Sequence, residues 1–519
     1  MSGDAAAFTI GLDLGTSGAK ALALDAAGHV LAVEEEDYPL IHPKPSWAEQ
    51  EPDAWWQAVC AVCRRLLAQP ALAGRSLAAV GLSGQMHGAT LLDAAGQVLR
   101  PALIWADGRG DGELAAFADR LAPSAILRIT GSLPNTSATL AKLLWLRQHE
   151  PQTLARAAHL LLAKDVIGYR LTGVYATDPS DASGTALYDI RRGEWSPELL
   201  AVLELDPALL PTVAPSGAVV GVVTAEAAQA AGLLAGTPIV AGGGDAACAA
   251  LGVGLGERAS AAGAREVLIS VGTAGQVSLI ADRPLIAPDG GVQTLSYVVP
   301  GRWQVMGAIL CAGHALAWLA RTLAVPADEA HSSHQRLDCL LNEAATTEPG
   351  ASGLLFLPHL LGSRGPHLDS TARGAFIGLT PAHTPAHLAR AVVEGVALAL
   401  RECVETLRAM GFAPQQALVA GAPSRHPLWR QVLADALGLP IAIGESEHGS
   451  ALGAARLAAR ATIGDPYQDA APPTFVTHRP ESPATQRYND LYAVYRSASA
   501  ALRPTFHALA ALPRSLPPR

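Results

Sequence analysis

A chain of 519 residues, half of them hydrophobic and 16% charged, has material for a large buried core, and its composition excludes a disordered protein. Its formal net charge of −9, with no clustered Lys/Arg stripe, excludes nucleic acid or an anionic membrane surface as a main partner.

The first predicted elements are strands over 8–14, 19–25 and 30–33. The turn Asp13-Leu14-Gly15-Thr16-Ser17-Gly18 joins the first two. A helix follows over 52–69, with Pro52 in its first turn and Asp53 as cap or dipole partner. Residues 77–82 and 89–92 read as strands, and 112–121, 139–149 and 164–171 as helices. The uncharged run 207–225 is long enough to raise a membrane question, but Pro211 and Pro215 break it. A strand over 238–241 leads through three glycines into a helix over 245–255.

A second hairpin is predicted over 266–280, with the turn Ser270-Val271-Gly272-Thr273-Ala274-Gly275. The uncharged run 303–320 splits at its glycines and His314 into strand, turn and helix. Helices over 385–410, 427–437 and 450–459 alternate with strands over 417–420 and 440–443. Residues 472–483 read as a loop before a last helix, and 512–519 as a frayed tail. Met1-Ser2-Gly3-Asp4 does not begin a signal peptide, so a cytoplasmic protein is expected. Six scattered cysteines, among them Cys60 and Cys63 inside the first helix, lack a second pair for a zinc site and read as buried thiols.

Strands alternating with helices indicate an α/β protein with mixed sheets covered on both sides. The two hairpins are written almost alike, which suggests one domain fold used twice, with a ligand cleft at a junction near 241–256. Each Gly-Thr-x-Gly turn bunches backbone N–H groups into a concavity suited to anionic oxygens, so the pair points to a polyphosphate held from both sides.

Three clusters carry chemistry. Gly242-Gly243-Gly244-Asp245 follows a buried strand. Asp245 there is either a helix N-cap or a carboxylate poised to take the proton of a hydroxyl attacking phosphorus, the glycines letting that hydroxyl approach. The same stretch fits the dinucleotide fingerprint G-x-G-x-x-A, but Asp245 would then face a pyrophosphate of like charge. No P-loop is present. Asp13 ends a strand beside the first turn, where it either caps the turn or holds Mg²⁺ against phosphate. Lys20, on the return strand, is a solvated charge or a phosphate neighbour. Ser83-Gly84-Gln85-Met86-His87-Gly88 and Trp105-Ala106-Asp107-Gly108-Arg109 have the residue types of a carbohydrate site; Asp107 and Arg109 could instead simply pair at the surface.

At these residues the chain resembles the FGGY carbohydrate kinase family, over about 8–503. The specific pieces are Gly11-Leu12-Asp13-Leu14-Gly15-Thr16-Ser17-Gly18, Gly84-Gln85-Met86-His87-Gly88 and Ser180-Asp181-Ala182-Ser183-Gly184-Thr185. The Gln-Met-His-Gly piece is similar to the branch acting on xylulose rather than on glycerol or gluconate. The resemblance implies two duplicated actin/hexokinase/ribonuclease H-like domains around a deep interdomain cleft: 8–255 on the sugar and phosphate side, 256–503 on the nucleotide side, with 504–519 a C-terminal tail. It implies Mg²⁺ and ATP, transfer of the γ-phosphoryl group to O5 of D-xylulose, no nucleic acid or membrane partner, and a homodimer as one option.

By the same resemblance Asp245 is the catalytic base, with Asp13 also needed for activity and both near the metal. Met86, His87, Trp105, Asp107 and Arg109 are substrate residues. Thr16, Ser17, Lys20, Gly272, Thr273, Gly421 and Ala422 are ATP or phosphate residues. The chain departs from the family at Ala420-Gly421-Ala422-Pro423-Ser424, at Ala246, at Ala274 and at Gly362-Ser363-Arg364-Gly365-Pro366. Pro423 lacks an N–H donor, which weakens the expected nucleotide turn.

Overall fold

The computed structural model describes residues 7–256, 266–288, 290–323, 333–421, 425–443, 448–464, 467 and 476–512. In the first half, strands β1 (Ala7–Leu14), β2 (Gly18–Asp25) and β3 (Val30–Asp37) form the predicted antiparallel hairpins. Helix α1 (Pro52–Leu67) buries Trp55, Val59, Cys63 and Leu66 against them. Strand β4 (Ser76–Gly84) joins β1 in parallel. Helices α2 (Thr139–His149), α3 (Ala163–Thr172) and the short α4 (Pro179–Gly184) follow. Strand β5 (Val219–Val222) then pairs antiparallel with β6 (Pro238–Gly244), which lies parallel to β4. The sheet order is β5-β6-β4-β1-β2-β3.

Helix α5 (Asp245–Gly252) closes the first half, and the second opens with the hairpin β7 (Glu266–Val271) and β8 (Gly275–Ala281). Strands β9 (Gln293–Ser296) and β10 (Trp303–Ile309) extend it antiparallel, and helix α6 (Gly313–Thr322) follows. The long α7 (Pro385–Ala409) is buried along most of its length. Strand β11 (Gln416–Ala420), helix α8 (Pro427–Leu437), strand β12 (Ile441–Ile443), helix α9 (Gly449–Thr462), strand β13 (Val476–His478) and helix α10 (Ser482–Ala511) complete it. This sheet runs β9-β10-β8-β7-β11-β12-β13. Leaving out the edge strand β9, it repeats the first sheet strand for strand, with the same parallel and antiparallel sequence. The duplication read from two turns therefore extends across both sheets.

Two C-terminal expectations change. Residues 476–478 are a strand paired to β12 rather than loop. The boundary at 503/504 falls inside α10, which continues to Ala511 and buries Phe506, so 504–511 are helix and not tail. Residues 513–519 lie outside the described residues. The uncharged run 303–320 does split, into β10 and α6. Among the described residues no helix is long and apolar enough to cross a membrane. Cys60 and Cys63 are buried free thiols.

The halves are joined by packing rather than by a tether. Helix α9, from the second half, lies directly on the first sheet. Gly11 in β1 permits this, because a Cβ there would sit 1.8 Å from the Ala451 carbonyl oxygen. Between the sheets, Ala79, Val240, Leu251, Leu268, Leu418 and Leu457 share one apolar cluster, drawn from both sheets and from α5 and α9.

Candidate active site

Parallel strands β1, β4 and β6 all end on one edge, and ligands of open α/β sheets bind outside such carboxyl ends. Register places Asp13, Ser83 and Gly243 in one row across the three strands. Ser83 Oγ donates to Asp13 Oδ1 at 2.8 Å. Asp245 opens α5 one residue beyond β6 and is only partly covered. It is not the N-cap: Gly244 holds that position, and Asp245 Oδ1 accepts from the Ala246 amide at 2.7 Å. Burial, then the charge of Asp13, pushes the Asp245 carboxyl up to about 7. Burial also raises Asp13, against the opposing Ser83 bond and Lys20 charge. Among the described residues neither carboxylate has a Lys or Arg at ion-pair distance.

The three glycines have a packing reason of their own. Gly242 adopts φ +73°, and a Cβ on it would lie 1.6 Å from the Leu82 carbonyl oxygen. A Cβ on Gly244 would lie 2.7 Å from Met86 Cγ and Sδ. The run lets β6 bulge against β4 and lets Met86 lie over the residue before Asp245. Packing of the wall requires it.

The first turn is held by its carbonyls. Gln50 Nε2 donates to Thr16 O at 2.7 Å, while Tyr38 Oη and Gln85 Nε2 donate to Gly15 O. The amides of Thr16 and Ser17 take no protein acceptor among the described residues. Sequence reasoning missed Gln50 and Tyr38, whose partners lie far away in the chain. Trp105 Nε1 donates to Thr16 Oγ1 at 2.8 Å, so this half-exposed indole reaches the first turn. Lys20 stands across from Asp13 but is held by Glu35 at 2.9 Å and lies 3.4 Å from His448 Nδ1.

In the second turn, the Gly272 and Thr273 carbonyls accept from the Gly313 and Ala312 amides at 2.8 and 2.9 Å, and the turn itself is exposed. Gly421 packs against it: φ is +108°, and a Cβ would lie 2.0 Å from the Val271 carbonyl oxygen. Ala422 lies outside the described residues.

Farther along the wall, Met86 is buried with Leu295 and Met306 of the second half. His87 adopts φ +69°, and its Nδ1 lies 2.5 Å from Gly184 O. That acceptor places the proton on Nδ1 and leaves Nε2 as an acceptor. Burial pushes the imidazole down to about 4, so it is neutral at pH 7. His87 lines a cavity with Ser132, Asn135, Ser183, Gln293 and Leu295. Asp107 and Arg109 do pair with each other, but inside the protein rather than at its surface. Arg109 Nη2 donates to Asp107 Oδ2 at 2.7 Å and lies 2.7 Å from Glu49 Oε1, and its guanidinium stacks 3.8 Å from the Trp47 ring. Asp107 Oδ2 also accepts from the Ala48 amide at 2.7 Å. These contacts anchor the loop that carries Trp105, while Arg109 Nη1 is left without a hydrogen-bond partner.

Helix α4 ties the pieces together. Asp178 caps it and accepts from Ser180 Oγ at 2.6 Å and Ser216 Oγ at 2.8 Å. Ser180 Oγ in turn accepts from the Gly244 amide at 3.0 Å, next to Asp245. Ser183 Oγ accepts from the Ser296 amide of β9 at 3.1 Å, and Gly184 holds His87. Beneath lies the buried Lys164, 2.5, 3.1 and 3.4 Å from Asp165, Asp178 and Asp181. Ser180→Ala is therefore expected to cut kcat about tenfold or more through misplacement of Asp245. KM should change less than about twofold, because Ser180 bears on the Gly244 amide and not on His87. Steady-state kinetics check this split.

Two family profiles match the chain. One is described as the FGGY family of carbohydrate kinases, N-terminal domain, over residues 8–252, and the other as its C-terminal domain, over residues 267–462. The xylulose kinase of Escherichia coli (strain K12) is 38% identical, over 86% of this chain and 89% of that protein. The crystal structure of xylulose kinase from Rhodospirillum rubrum superposes with a TM-score of 0.87 at 33% identity, covering 96% of this chain and 99% of that one. The gluconokinase of Bacillus subtilis (strain 168) is 28% identical, over 98% of this chain and 99% of that protein. A duplicated sheet, an acid at the carboxyl edge and matches over both halves lead to one conclusion: the chain belongs to the FGGY family of carbohydrate kinases.

Proposed function

We propose that the protein transfers the γ-phosphoryl group of ATP to O5 of D-xylulose. The observation that carries this reading is Asp245, partly open at the strand ends with Asp13 alongside and Met86 and His87 forming the next stretch of wall. As the acceptor oxygen forms its bond to phosphorus and the bond to ADP breaks, Asp245 takes the hydroxyl proton. The neutral His87 Nε2 accepts from a sugar hydroxyl. Asp107 and Arg109 position the Trp105 loop. Thr16 and Ser17 offer amides to phosphate from the first half, while Gly272, Thr273 and Gly421 meet the nucleotide from the second, with Lys20 alongside.

Mg²⁺ fits this donor set: two carboxylates whose proton affinity burial raises, that of Asp245 further through the charge of Asp13, with no Lys or Arg at ion-pair distance among the described residues, suit a hard cation sharing phosphate oxygens. Asp13 and Asp245 would hold it, and it would neutralise charge on the transferring group. Water must be kept from the phosphoryl group, which supports sugar binding between the halves. The reading also places the enzyme in the cytoplasm.

A panel of D-xylulose, D-ribulose, L-ribulose, glycerol and gluconate with coupled ADP detection tests the assignment. D-xylulose is expected to exceed every other substrate in kcat/KM by about tenfold or more, the discrimination a few hydroxyl contacts supply. Gluconate or glycerol equalling it would overturn the ketose assignment.

A further inference from the structure

The cavity that His87 lines adjoins a second one, lined by Leu133, Asn135, Gln293, Met306 and Arg364. Leu133, Asn135 and Gln293 belong to both, so the two adjoin as one space between the halves, apolar for the most part with a few polar groups set into it. Two of its donors are unanswered. Ser132 Oγ is buried without a hydrogen-bond partner. Arg364 makes one long hydrogen bond, 3.4 Å from Nη2 to Gln293 Oε1, and among the described residues no carboxylate lies within ion-pair distance of it.

A guanidinium partly withdrawn from water without an acid partner is costly, and so is an orphaned buried hydroxyl. Burial holds Arg364 below the ordinary arginine value. The backbone beside Arg364 is pressed against β10: a Cβ on Gly365 would lie 2.9 Å from the Ala308 carbonyl oxygen. Arg364 is also close enough for its charge to act on His87. From Asp245 a path of contacts leads to it: Gly244 underlies Met86, Met86 clusters with Met306, and Met306 lines the Arg364 cavity. A sugar whose reacting hydroxyl meets Asp245 would extend its other end along this path.

We infer that Arg364 and Ser132 are specificity-determining residues, one from each half, that grip oxygens at the end of the ketose remote from the phosphorylated hydroxyl. This rests on the ketose-kinase reading above. Because the grip needs both halves at once, it ties sugar recognition to their closed arrangement.

The test compares wild type, Arg364→Ala, Arg364→Lys and Ser132→Ala by coupled ADP detection, with KM for D-xylulose, KM for ATP, kcat and Tm measured for each. For Arg364→Ala the KM for D-xylulose should rise about 30-fold, while kcat falls less than about fivefold and KM for ATP stays within about twofold. Arg364→Lys keeps the charge but loses the planar fork, so its KM should lie between, about tenfold above wild type. Ser132→Ala should raise it about fivefold. Should Arg364→Ala not fold, the lysine variant at wild-type Tm carries the test. An active wild type with unchanged sugar KM in the arginine variants overturns this inference alone. A wild type that phosphorylates no ketose overturns the ketose reading and the inference with it.

Discussion

Asp245→Asn is expected to lower kcat by about 10³-fold, within the range that a positioned general base contributes. KM for the sugar should barely move, because Met86 and His87 remain in place. The amide is isosteric and can still accept from the Ala246 amide, so the loss isolates proton acceptance from structure. The same substitution should make the nucleotide-free, metal-free protein more stable at pH 8. The folded carboxyl sits at about 7, against about 4 for an unfolded aspartate. The folded state therefore binds the proton more tightly. Stability from that preference is full below about pH 4 and is lost as pH rises toward 7. Asn carries no such loss, so its Tm advantage over wild type should grow from pH 4 to pH 7 and level off above. Thermal melts in EDTA across that window check the sign. A residue that only caps the helix would show neither the kinetic loss nor this stability gain.

Gly11→Ala is expected to destabilise the protein by about 2–3 kcal/mol, typical of overpacking a tight contact. Catalysis should fall with it. The new methyl would meet the Ala451 carbonyl oxygen at 1.8 Å and the Ala455 amide nitrogen at 2.7 Å, both main-chain atoms of α9 that cannot rotate aside. Helix α9 must then lift from β1, shifting the half that carries the second phosphate turn relative to Asp13 and Asp245. Gly112→Ala is the matched control: nothing lies within 4 Å of its Cβ, and the site is helical, so stability should rise slightly. Chemical denaturation and kcat distinguish the two. Equal stability and activity in Gly11→Ala would remove the close helix-on-sheet contact from the account.

Much of this arrangement was legible in the chain because its signals are local. Both hairpins, Thr139–His149 and Pro427–Leu437 are marked by alternation, apolar spacing, prolines and glycines within a few residues of each end. Asp13, Asp245, Met86 and His87 follow buried strands, and strand ends are where such sheets bind ligands. What stayed hidden depends on residues far apart in sequence. Asp107 and Arg109 look like surface charges until Trp47, Glu49 and Trp145 close over them. Helix α4 has only six residues, and its stabilisation comes from Asp178 and the buried Lys164, not from periodicity. Strand β13 exists because β12 offers an edge, not because residues 476–478 alternate strongly. The glycines before Asp245 stood out in sequence, but the backbone of Leu82 and the side chain of Met86 that also demand them lie far away in the chain. Arg364 stood out in sequence only as part of an altered motif; the cavity it lines is formed by two halves meeting.

The most direct measurement is a crystal structure of the protein with D-xylulose and a non-hydrolysable ATP analogue. It should place the O5 hydroxyl about 2.6–3.2 Å from an Asp245 carboxylate oxygen, with the terminal phosphate between the Thr16 and Gly272 turns. An acceptor hydroxyl resting against some other residue, or a nucleotide bound away from both turns, would contradict the account.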